Sequence, residues 1–267
     1  FETMDDLKAF GVPVLILSGG EPLLRPDIFE ISWRAKDMGF YVGLSSNGTL
    51  IGEHNIKQIA DIGYDYVGIS LDGLKETHDA CRRREGGFDE ALAGIRLCRE
   101  NGIKAGMRFT VTMDNAHELP AMLDLAETEQ IDKFYLSHLV YAGRGNKNRG
   151  DDARLEITRK TMDLLFERCW DYVERGIEKE FVTGNNDADA VWFMRWAEER
   201  VPAARVAHLR EVLEAWGGNS AGVGVANIDP QGKVHPDTYW SDYTIGNVKT
   251  TPFSELWTGS DKMLELL

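Results

Sequence analysis

Small polar and charged residues follow apolar runs at five points along the first half of the chain. They occupy residues 18–22 (SGGEP), 45–49 (SSNGT), 70–73 (SLDG), 108–112 (RFTVT) and 137–138 (SH). Adjacent glycines let a ligand approach the backbone, glutamate accepts hydrogen bonds from an ammonium group, and serine, asparagine and aspartate bind carboxylates or ribose hydroxyls. This inventory predicts a site for an amino acid joined to a nucleoside. It includes no glycine-rich phosphate cradle, so a nucleotide polyphosphate is not predicted.

A repeated unit must position these groups. It consists of a helical segment, a glycine and a strand rich in Val, Ile, Phe and Tyr, and its glycines are Gly11, Gly39, Gly63 and Gly102. A fifth unit carries Asp132 in place of glycine. Glycine closes the last turn of a helix, and strand–helix repeats form parallel sheets with crossover helices. Five units without a nucleotide-binding fingerprint favour a (βα) barrel over a doubly wound sheet, with the site at the carboxyl ends of the strands.

The composition excludes several classes of protein. Among 267 residues, 30 Lys and Arg stand against 44 Asp and Glu, which gives a net charge of −14. A nucleic-acid binder needs a basic face, and a transmembrane helix needs an apolar run of roughly 20 residues, which this sequence lacks. The acidic start has no signal-peptide pattern, so we expect the cytoplasm as the compartment, with no nucleic-acid or membrane partner.

The cysteines predict no metal site of their own. Cys81, Cys98 and Cys169 are widely spaced and form no Cys-x-x-Cys pair, which also argues against a disulfide framework. Cys98 and Cys169 lie in helical patterns, so we expect them to be small buried residues.

Three motifs together resemble the radical S-adenosylmethionine (SAM) superfamily. They are SGGEPLL at residues 18–24, SNG at 46–48, and SLDG at 70–73 followed by His78 and Asp79. Up to about Trp257 the chain is most similar to the subgroup with a C-terminal auxiliary-cluster domain of the SPASM or twitch type. The resemblance implies an α/β fold, namely a partial (βα)6 barrel followed by the start of a small α+β auxiliary domain.

Five segments are most similar to the branch that modifies tetrapyrrole propionates on the route to heme d1. They are residues 14–22, 132–138, 183–189, 226–229 and 232–237. The resemblance implies an oxidoreductase or lyase in which a 5′-deoxyadenosyl radical removes or modifies propionates of an iron-tetrapyrrole, a didecarboxysiroheme-like precursor. The implied cofactors are SAM, a 4Fe-4S cluster at the barrel and one auxiliary 4Fe-4S cluster. The implied partners are the iron-tetrapyrrole and an electron donor such as a flavodoxin or ferredoxin.

The cluster motif of this family is not in the sequence. Its three cysteines, Cys-x-x-x-Cys-x-x-Cys, would precede Phe1, so we expect the chain to be part of a longer protein whose cluster cysteines lie outside it. Two auxiliary-domain cysteines of the subgroup would fall near Asn219 and Asp237. Only Asp237 could ligate iron, with a loop aspartate as the alternative, and no other metal ligand is predicted.

The resemblance also assigns the residues that bind the cofactor. Gly19, Gly20 and Glu21 would hold the methionine end of SAM. Its carboxylate and ribose would contact Ser46, Asn47, Ser70, Asp72 and Arg83. For Arg83, a solvated charge is the alternative.

A substrate with several carboxylates needs cations. Arg108 lies in a predicted strand and faces either the lumen, where it would bind substrate, or the helices. Arg144 and Lys147 belong to a basic loop, with solvated charge as the alternative.

The residue that performs proton or radical chemistry is unknown from the sequence, and three candidates stand out. His138 and His235 are each an iron ligand, an acid or a core histidine, and Tyr141 is either a redox partner or a packing residue.

We predict three regions. Residues 1–150 form the partial barrel without its first strand and cluster loop, residues 151–217 continue it with helices, and residues 218–267 begin the auxiliary domain. Within the last two regions the patterns predict the following elements: helices at 157–175 and 201–216, a polar loop at 181–189, a β-hairpin at 222–235 and a short helix at 252–257.

Two other functions remain open on the sequence. One is a peptide-modifying maturase of the same subgroup, and the other is a cluster-free, non-catalytic barrel that binds a tetrapyrrole or nucleoside.

Overall fold

A computed structural model describes residues 1–142 and 144–265, without the side chains of Arg144 and Asn146. The chain divides into two compact units. The barrel unit comprises Val14–Leu139 and Arg149–Arg210, and the mixed unit comprises Phe1–Pro13, Val140–Asn148 and Glu211–Leu267. This division differs from the predicted bounds at residues 150 and 217, because the first helix and a segment near residue 144 group with the C-terminal part of the chain.

The helices follow one another along both units. They are α1 (Glu2–Phe10), α2 (Ile28–Asp37), α3 (Ile56–Ile62), α4 (Lys75–Arg82), α5 (Gly87–Glu100), α6 (Leu119–Thr128), α7 (Arg144–Lys147), α8 (Leu155–Glu174), α9 (Ala188–Arg200), α10 (Ala203–Trp216), α11 (Phe253–Gly259) and α12 (Asp261–Leu264). The predicted helices at 157–175, 201–216 and 252–257 correspond to α8, α10 and α11. No described helix is long and apolar enough to cross a bilayer.

Six parallel strands form the sheet of the barrel unit, in the order of the chain. They are β1 (Val14–Leu17), β2 (Tyr41–Ser46), β3 (Tyr66–Ser70), β4 (Ala105–Val111), β5 (Lys133–His138) and β6 (Glu180–Gly184). Helices connect successive strands, and right-handed crossovers in this order place them all on one face of the sheet. The predicted α/β class and partial (βα) barrel are therefore confirmed.

The face of the sheet that packs against the helices carries the core. The core residues Val42, Leu44, Val67, Ile69, Met107, Phe109, Phe134 and Leu136 are each at most 1% exposed. Because side chains alternate along a strand, the residues between them lie on the opposite face, which we call the inner face. The inner face carries Gly43, Ser45, Gly68, Ser70, Arg108, Thr110, Tyr135, Ser137, Val182 and Gly184.

The repeated glycines end helices as the sequence predicts. Gly11 and Gly63 adopt left-handed φ values of 95° and 69° at the C-caps of α1 and α3. Gly39 and Gly102 have φ values of 75° and 71° at the corresponding places in their units.

One strand of the sheet was not predicted. Residues 181–189 were expected to form a polar loop, but residues 180–184 form β6, which pairs in parallel with β5. The segment is short and starts with Glu180, and Gly184 closes it, so its three strand-forming residues at 181–183 do not stand out from the surrounding polar residues.

The mixed unit contains a small antiparallel sheet. Its strands are β7 (Asn227–Ile228), β8 (Lys233–His235) and β9 (Gly246–Asn247). The predicted hairpin is β7–β8, and β9 was not predicted. In the same unit, Asp6 accepts hydrogen bonds from the Ser254 N–H at 3.0 Å and the Ser254 hydroxyl at 2.6 Å, which holds α1 against the start of α11.

Candidate functional site

Glu21 connects the ends of the first two strands. It follows β1 and is the N-cap of a short 3-10 turn, Pro22–Leu24. Its Oε1 accepts hydrogen bonds from the Ser46 hydroxyl at 2.8 Å and the Leu23 N–H at 3.1 Å, and its Oε2 accepts one from the Asn47 N–H at 2.7 Å. A carboxylate has about four acceptor positions, so one remains for a further donor such as an ammonium group.

Gly19 and Gly20 leave the backbone before Glu21 bare. Gly19 has a φ of +141°, which side chains rarely tolerate. No atom lies within 4 Å of the place where a β-carbon would stand at either glycine, and both residues are exposed. A ligand can therefore lie directly against the peptide groups of this loop.

The side chains of Ser46 and Asn47 shape the turn after β2. Ser46 Oγ accepts a hydrogen bond from the Gly48 N–H at 2.9 Å while it donates to Glu21. Asn47 Oδ1 accepts from the N–H and the hydroxyl of Thr49, both at 2.9 Å. Both side chains thus have partners within the loop, and their contacts with a cofactor stay predictions.

Asp72 is buried, and both of its carboxylate oxygens have protein partners. Oδ1 accepts a hydrogen bond from the Thr110 N–H at 2.9 Å, and Oδ2 forms an ion pair with the guanidinium of Arg82. The carboxylate therefore fixes the turn after β3 to β4 and α4, and its contact with a ribose stays a prediction. Ser70, the last residue of β3, is half-buried on the inner face, and its hydroxyl has no hydrogen-bond partner among the described residues.

Arg82 is the arginine that meets this turn, whereas Arg83 was the predicted one. Arg83 is exposed and follows α4 with a left-handed φ of 54°. Arg82 lies one helical turn after His78, and both side chains contact Asp72. The i, i+4 spacing between His78 and Arg82 is the sequence signal that distinguishes the two arginines.

His78 makes stability depend on pH. Its Nδ1 accepts a hydrogen bond from the Asp72 N–H at 3.1 Å, and burial lowers its pKa, with the Asp72 carboxylate opposing this shift. The unfolded chain protonates His78 near pH ~6.5 and the folded chain only at lower pH, so the unfolded state binds more protons between these values. We expect this residue to lower the free energy of unfolding by at most ~1.4 kcal/mol per pH unit as the pH falls below its unfolded pKa.

Urea unfolding at about pH 7.5 and about pH 5.5 measures this effect. His78→Gln keeps an acceptor for the Asp72 N–H but cannot titrate, so its stability should fall less between the two conditions. An equal fall in the variant and the wild type would contradict the prediction.

Arg108 lies on the inner face and stacks on Tyr135. Its guanidinium carbon is 5.0 Å from the centre of the Tyr135 ring, and its Nη1 donates a hydrogen bond to the Ser45 hydroxyl. It forms no ion pair with any carboxylate in the described part of the chain. Of the two orientations left open by the sequence, the structure has the one toward the inner face. A half-buried guanidinium without a counter-charge is a candidate anion site in this acidic chain.

His138 forms a buried pair with Asp189. Its Nε2 is 2.9 Å from Asp189 Oδ2, and the two side chains are 11% and 6% exposed. The other oxygen of Asp189 accepts a hydrogen bond from Asn186 Nδ2 at 3.1 Å, and Asn185 Nδ2 donates to the Ser137 hydroxyl at 2.7 Å. The pair therefore fixes the turn between β6 and α9 to the end of β5.

His235 has partners for both ring nitrogens inside the mixed unit. Its Nδ1 lies 2.9 Å from the carbonyl oxygen of Tyr243, and its Nε2 lies 3.5 Å from Asp229 Oδ2. The residue is 2% exposed, so of its three open roles the structure favours that of a core histidine.

The other predicted residues lie in the mixed unit. Tyr141 and Lys147 are exposed, while the side chain of Arg144 lies outside the described residues. Asp237 accepts a hydrogen bond at Oδ1 from the Tyr239 N–H at 2.8 Å.

Comparison with known proteins places this chain among characterised relatives. Residues 1–126 match the model of the Radical SAM superfamily. Over 264 residues, 98% of its length, the chain is 60% identical to the pre-heme d1 synthase of Dinoroseobacter shibae, of which it covers 65%. The chain belongs to the radical SAM superfamily.

Two further comparisons concern the sequence and the fold of the radical SAM chain. It is 42% identical over 263 residues to the Fe-coproporphyrin III synthase of Methanosarcina barkeri, covering 98% of the chain and 65% of that relative. Its fold is similar to Streptococcus suis SuiB bound to the precursor peptide SuiA, with a TM-score of 0.78 at 16% identity, covering 99% of this chain and 58% of SuiB. The radical SAM chain thus spans 65% of the length of the two sequence relatives.

Membership of the radical SAM superfamily implies SAM and a 4Fe-4S cluster. The described residues fit SAM, because the bare Gly19–Gly20 backbone, the open acceptor of Glu21 and the free hydroxyl of Ser70 all lie at the carboxyl ends of strands in one sheet. That edge of the sheet is where barrel folds bind their ligands.

The cysteines of the radical SAM chain do not fit a cluster. Burial raises the pKa of Cys98 to about 12 and that of Cys169 to about 12, so both stay protonated thiols, whereas a cluster needs thiolates. Cys81 is exposed on α4. Nowhere in residues 1–142 or 144–265 do three His, Cys, Asp or Glu residues come together as a metal site. Cys98 is buried as expected, whereas Cys169 is half-buried.

Tyr135 and Gly184 belong to the inner-face site of the radical SAM chain, but the sequence did not indicate them. Tyr135 is two residues before Ser137, so strand alternation puts both on one face once β5 is placed. Gly184 could be recognised only after β6 was known to exist.

Proposed function

We propose that this chain is part of a radical SAM enzyme that modifies propionate side chains of an iron-tetrapyrrole in heme d1 biosynthesis. The observation that carries the proposal is the Arg108 guanidinium on the inner face, which pairs with no carboxylate among the described residues, because a substrate with several carboxylates needs a cation there. The identities of 60% to a pre-heme d1 synthase and 42% to an Fe-coproporphyrin III synthase support the tetrapyrrole class.

The barrel unit positions SAM through groups at the ends of β1 and β3. The peptide groups of Gly19 and Gly20 contact the methionine end, the open acceptor of Glu21 takes a hydrogen bond from its ammonium group, and the Ser70 hydroxyl bonds to its carboxylate or ribose. When bound with its cluster, SAM supplies a 5′-deoxyadenosyl radical that takes a hydrogen atom from the substrate. Asp72 acts as a positioning residue, since its carboxylate fixes the turn that follows Ser70.

Arg108 binds a propionate carboxylate of the substrate. Its Nη1 is occupied by Ser45, which leaves its other nitrogens to donate to a carboxylate. Stacking on Tyr135 limits the motion of the guanidinium, so less conformational entropy is lost when the substrate binds. The exposed side chains of Tyr141 and Lys147 are further proposed contacts of the substrate.

By resemblance, the mixed unit begins a domain that holds one auxiliary 4Fe-4S cluster, and Asp237 is its proposed ligand within this chain. A flavodoxin or ferredoxin supplies the electron. The free cysteines suit the reducing cytoplasm, which is the proposed compartment.

The test uses the full-length enzyme under anaerobic, reducing conditions with SAM and candidate iron-tetrapyrroles. We expect a mass loss in the tetrapyrrole that matches propionate removal, together with 5′-deoxyadenosine. Arg108→Gln should lower kcat/KM for the tetrapyrrole by about 100-fold through loss of charge-assisted hydrogen bonds. Arg210→Gln is the matched control, because Arg210 is exposed and pairs with Glu198 on the surface. An unchanged tetrapyrrole beside a modified peptide would overturn the proposal in favour of a peptide maturase.

A further inference from the structure

We propose that Gly184 is the residue that sets the position of the Arg108 guanidinium and thereby the preference of the site for carboxylates. The inference rests on the proposed function, in which Arg108 binds a substrate carboxylate. Gly184 touches neither cofactor nor substrate in this scheme. It acts through Tyr135, on which Arg108 stacks, and is therefore a positioning residue.

Tyr135 lies across the inner face over Gly184. The sheet register pairs Tyr135 with Val182, so Gly184 is the diagonal neighbour two residues further along β6. A β-carbon at position 184 would overlap the Tyr135 hydroxyl oxygen and lie 2.7 Å from Cζ and 3.4 Å from Cε2. The φ of Gly184 is outside the left-handed region, so the requirement for glycine comes from the ring and not from the backbone.

The Tyr135 ring, which fits beside β6 because residue 184 has no side chain, is the ring on which Arg108 stacks. The guanidinium carbon is 5.0 Å from the ring centre, and Ser45 is its hydrogen-bond partner on the inner face. When the ring moves away from β6, it moves the surface on which the guanidinium rests. The free nitrogens of Arg108 then point away from their position above the sheet.

The backbone at Gly184 cannot yield in place of the ring. The next residue, Asn185, has a left-handed φ of 70° and donates a hydrogen bond to the Ser137 hydroxyl at 2.7 Å. The buried pair of His138 and Asp189, at 2.9 Å, fixes the following turn to β5. A methyl group at position 184 is therefore accommodated by displacement of Tyr135.

A second tyrosine also lies over a glycine and has a cation against its ring, but that cation is not available to bind an anion. Tyr66 lies over Gly106, where a β-carbon would be 2.6 Å from its Cε2, and the ammonium of Lys133 is 5.1 Å from its ring centre. Lys133, however, forms an ion pair with Glu180 at 2.5 Å. Arg108 has no such partner among the described residues, and for this reason the position of its guanidinium matters for binding.

The experiment measures the affinity of the full-length enzyme for two probes by fluorescence titration. The probes are coproporphyrin III and its tetramethyl ester. The wild type should bind the acid more tightly than the ester. Gly184→Ala should reduce this preference by about tenfold, because it displaces the guanidinium, and Arg108→Gln by about 100-fold, because it removes the guanidinium. Gly150→Ala is the matched control, because no atom lies within 4 Å of a β-carbon there and its φ is ordinary. Removal of the hydroxyl in the double variant Gly184→Ala, Tyr135→Phe should restore part of the preference.

The outcomes separate the inference from the proposed function. If Gly184→Ala keeps the preference and Arg108→Gln loses it, the inference is wrong and the carboxylate site stands. If Arg108→Gln also keeps it, the proposed substrate contact fails. A crystal structure of Gly184→Ala tests the packing step without any ligand, and an unmoved Tyr135 and Arg108 would overturn the inference whatever binds. If Gly184→Ala does not fold, Tyr135→Leu takes its place and is expected to lose the preference for the acid over the ester. An unchanged preference in Tyr135→Leu would overturn the inference.

Discussion

Glu21→Gln is expected to weaken SAM binding by the full-length enzyme by roughly 100-fold. The glutamate accepts hydrogen bonds from the Ser46 hydroxyl and the Asn47 N–H, and its remaining acceptor position is the one proposed for the ammonium group. Glutamine removes the negative charge that attracts this group. Its amide nitrogen must also take the place of Oε1, which faces the Leu23 N–H, or of Oε2, which faces the Asn47 N–H. Either choice places a donor against a donor, so the loop after β1 loses one of these hydrogen bonds.

Isothermal titration of SAM into the anaerobic enzyme measures this loss. Glu30→Gln is the matched control, because Glu30 is an exposed glutamate on α2 and its substitution removes the same charge from the same unit. A thermal denaturation curve for each variant separates lost affinity from lost folding. Wild-type affinity in Glu21→Gln would show that the carboxylate only shapes the loop.

The first four strands of the barrel unit were predictable because each begins after a helix-ending glycine, and the fifth follows the same pattern with Asp132 in place of glycine. Gly11 and Gly63 need the left-handed conformation, and the residues after each of them alternate or run apolar into a polar loop. The position of Glu21 at a strand end follows from that pattern alone. The sixth strand has the glycine signal, since Gly176 follows α8 with a left-handed φ of 66°, but the polar residues 178–180 separate that glycine from the three strand-forming residues at 181–183.

The identity of the contacts within the site was less predictable. The sequence shows that Asp72 follows a strand, but it does not show that Thr110 and Arg82 already occupy its carboxylate. These partners come from other elements of the fold, β4 and α4. Spacing within one element carries no information about such contacts, whereas the helix-face relation between His78 and Arg82 lies within one element and was available.

The orientation of Arg108 is an intermediate case. Its neighbours Met107 and Phe109 are fully buried against the helices, so strand alternation puts Arg108 on the inner face once β4 is accepted. The absence of a carboxylate partner among the described residues depends on the whole sheet and required the structure.

Asp72→Ala is expected to lower the free energy of unfolding by about 3 kcal/mol. The substitution leaves the Arg82 guanidinium, whose buried Nε has no described hydrogen-bond partner, without its counter-charge. It also leaves the Thr110 N–H without an acceptor. Arg82 is 27% exposed, so water relieves part of the cost and the effect falls at the lower end for buried ion pairs. Urea unfolding at neutral pH measures it, with Asp61→Ala on the exposed face of α3 as the control, for which we expect a change within about 0.5 kcal/mol.

A double-mutant cycle with Arg82→Met separates the ion pair from the hydrogen bond to Thr110. Because Asp72→Asn keeps an acceptor for the Thr110 N–H, the pair Asp72→Asn, Arg82→Met contains neither an unpaired charge nor an unbonded amide. We therefore expect the double variant to be more stable than Asp72→Asn alone. Strict additivity of the two single substitutions would show that Asp72 and Arg82 are not energetically coupled. In that case the turn after β3 would be held by the Thr110 hydrogen bond, and the placement of Ser70 beside the cofactor would depend on β4 rather than on α4.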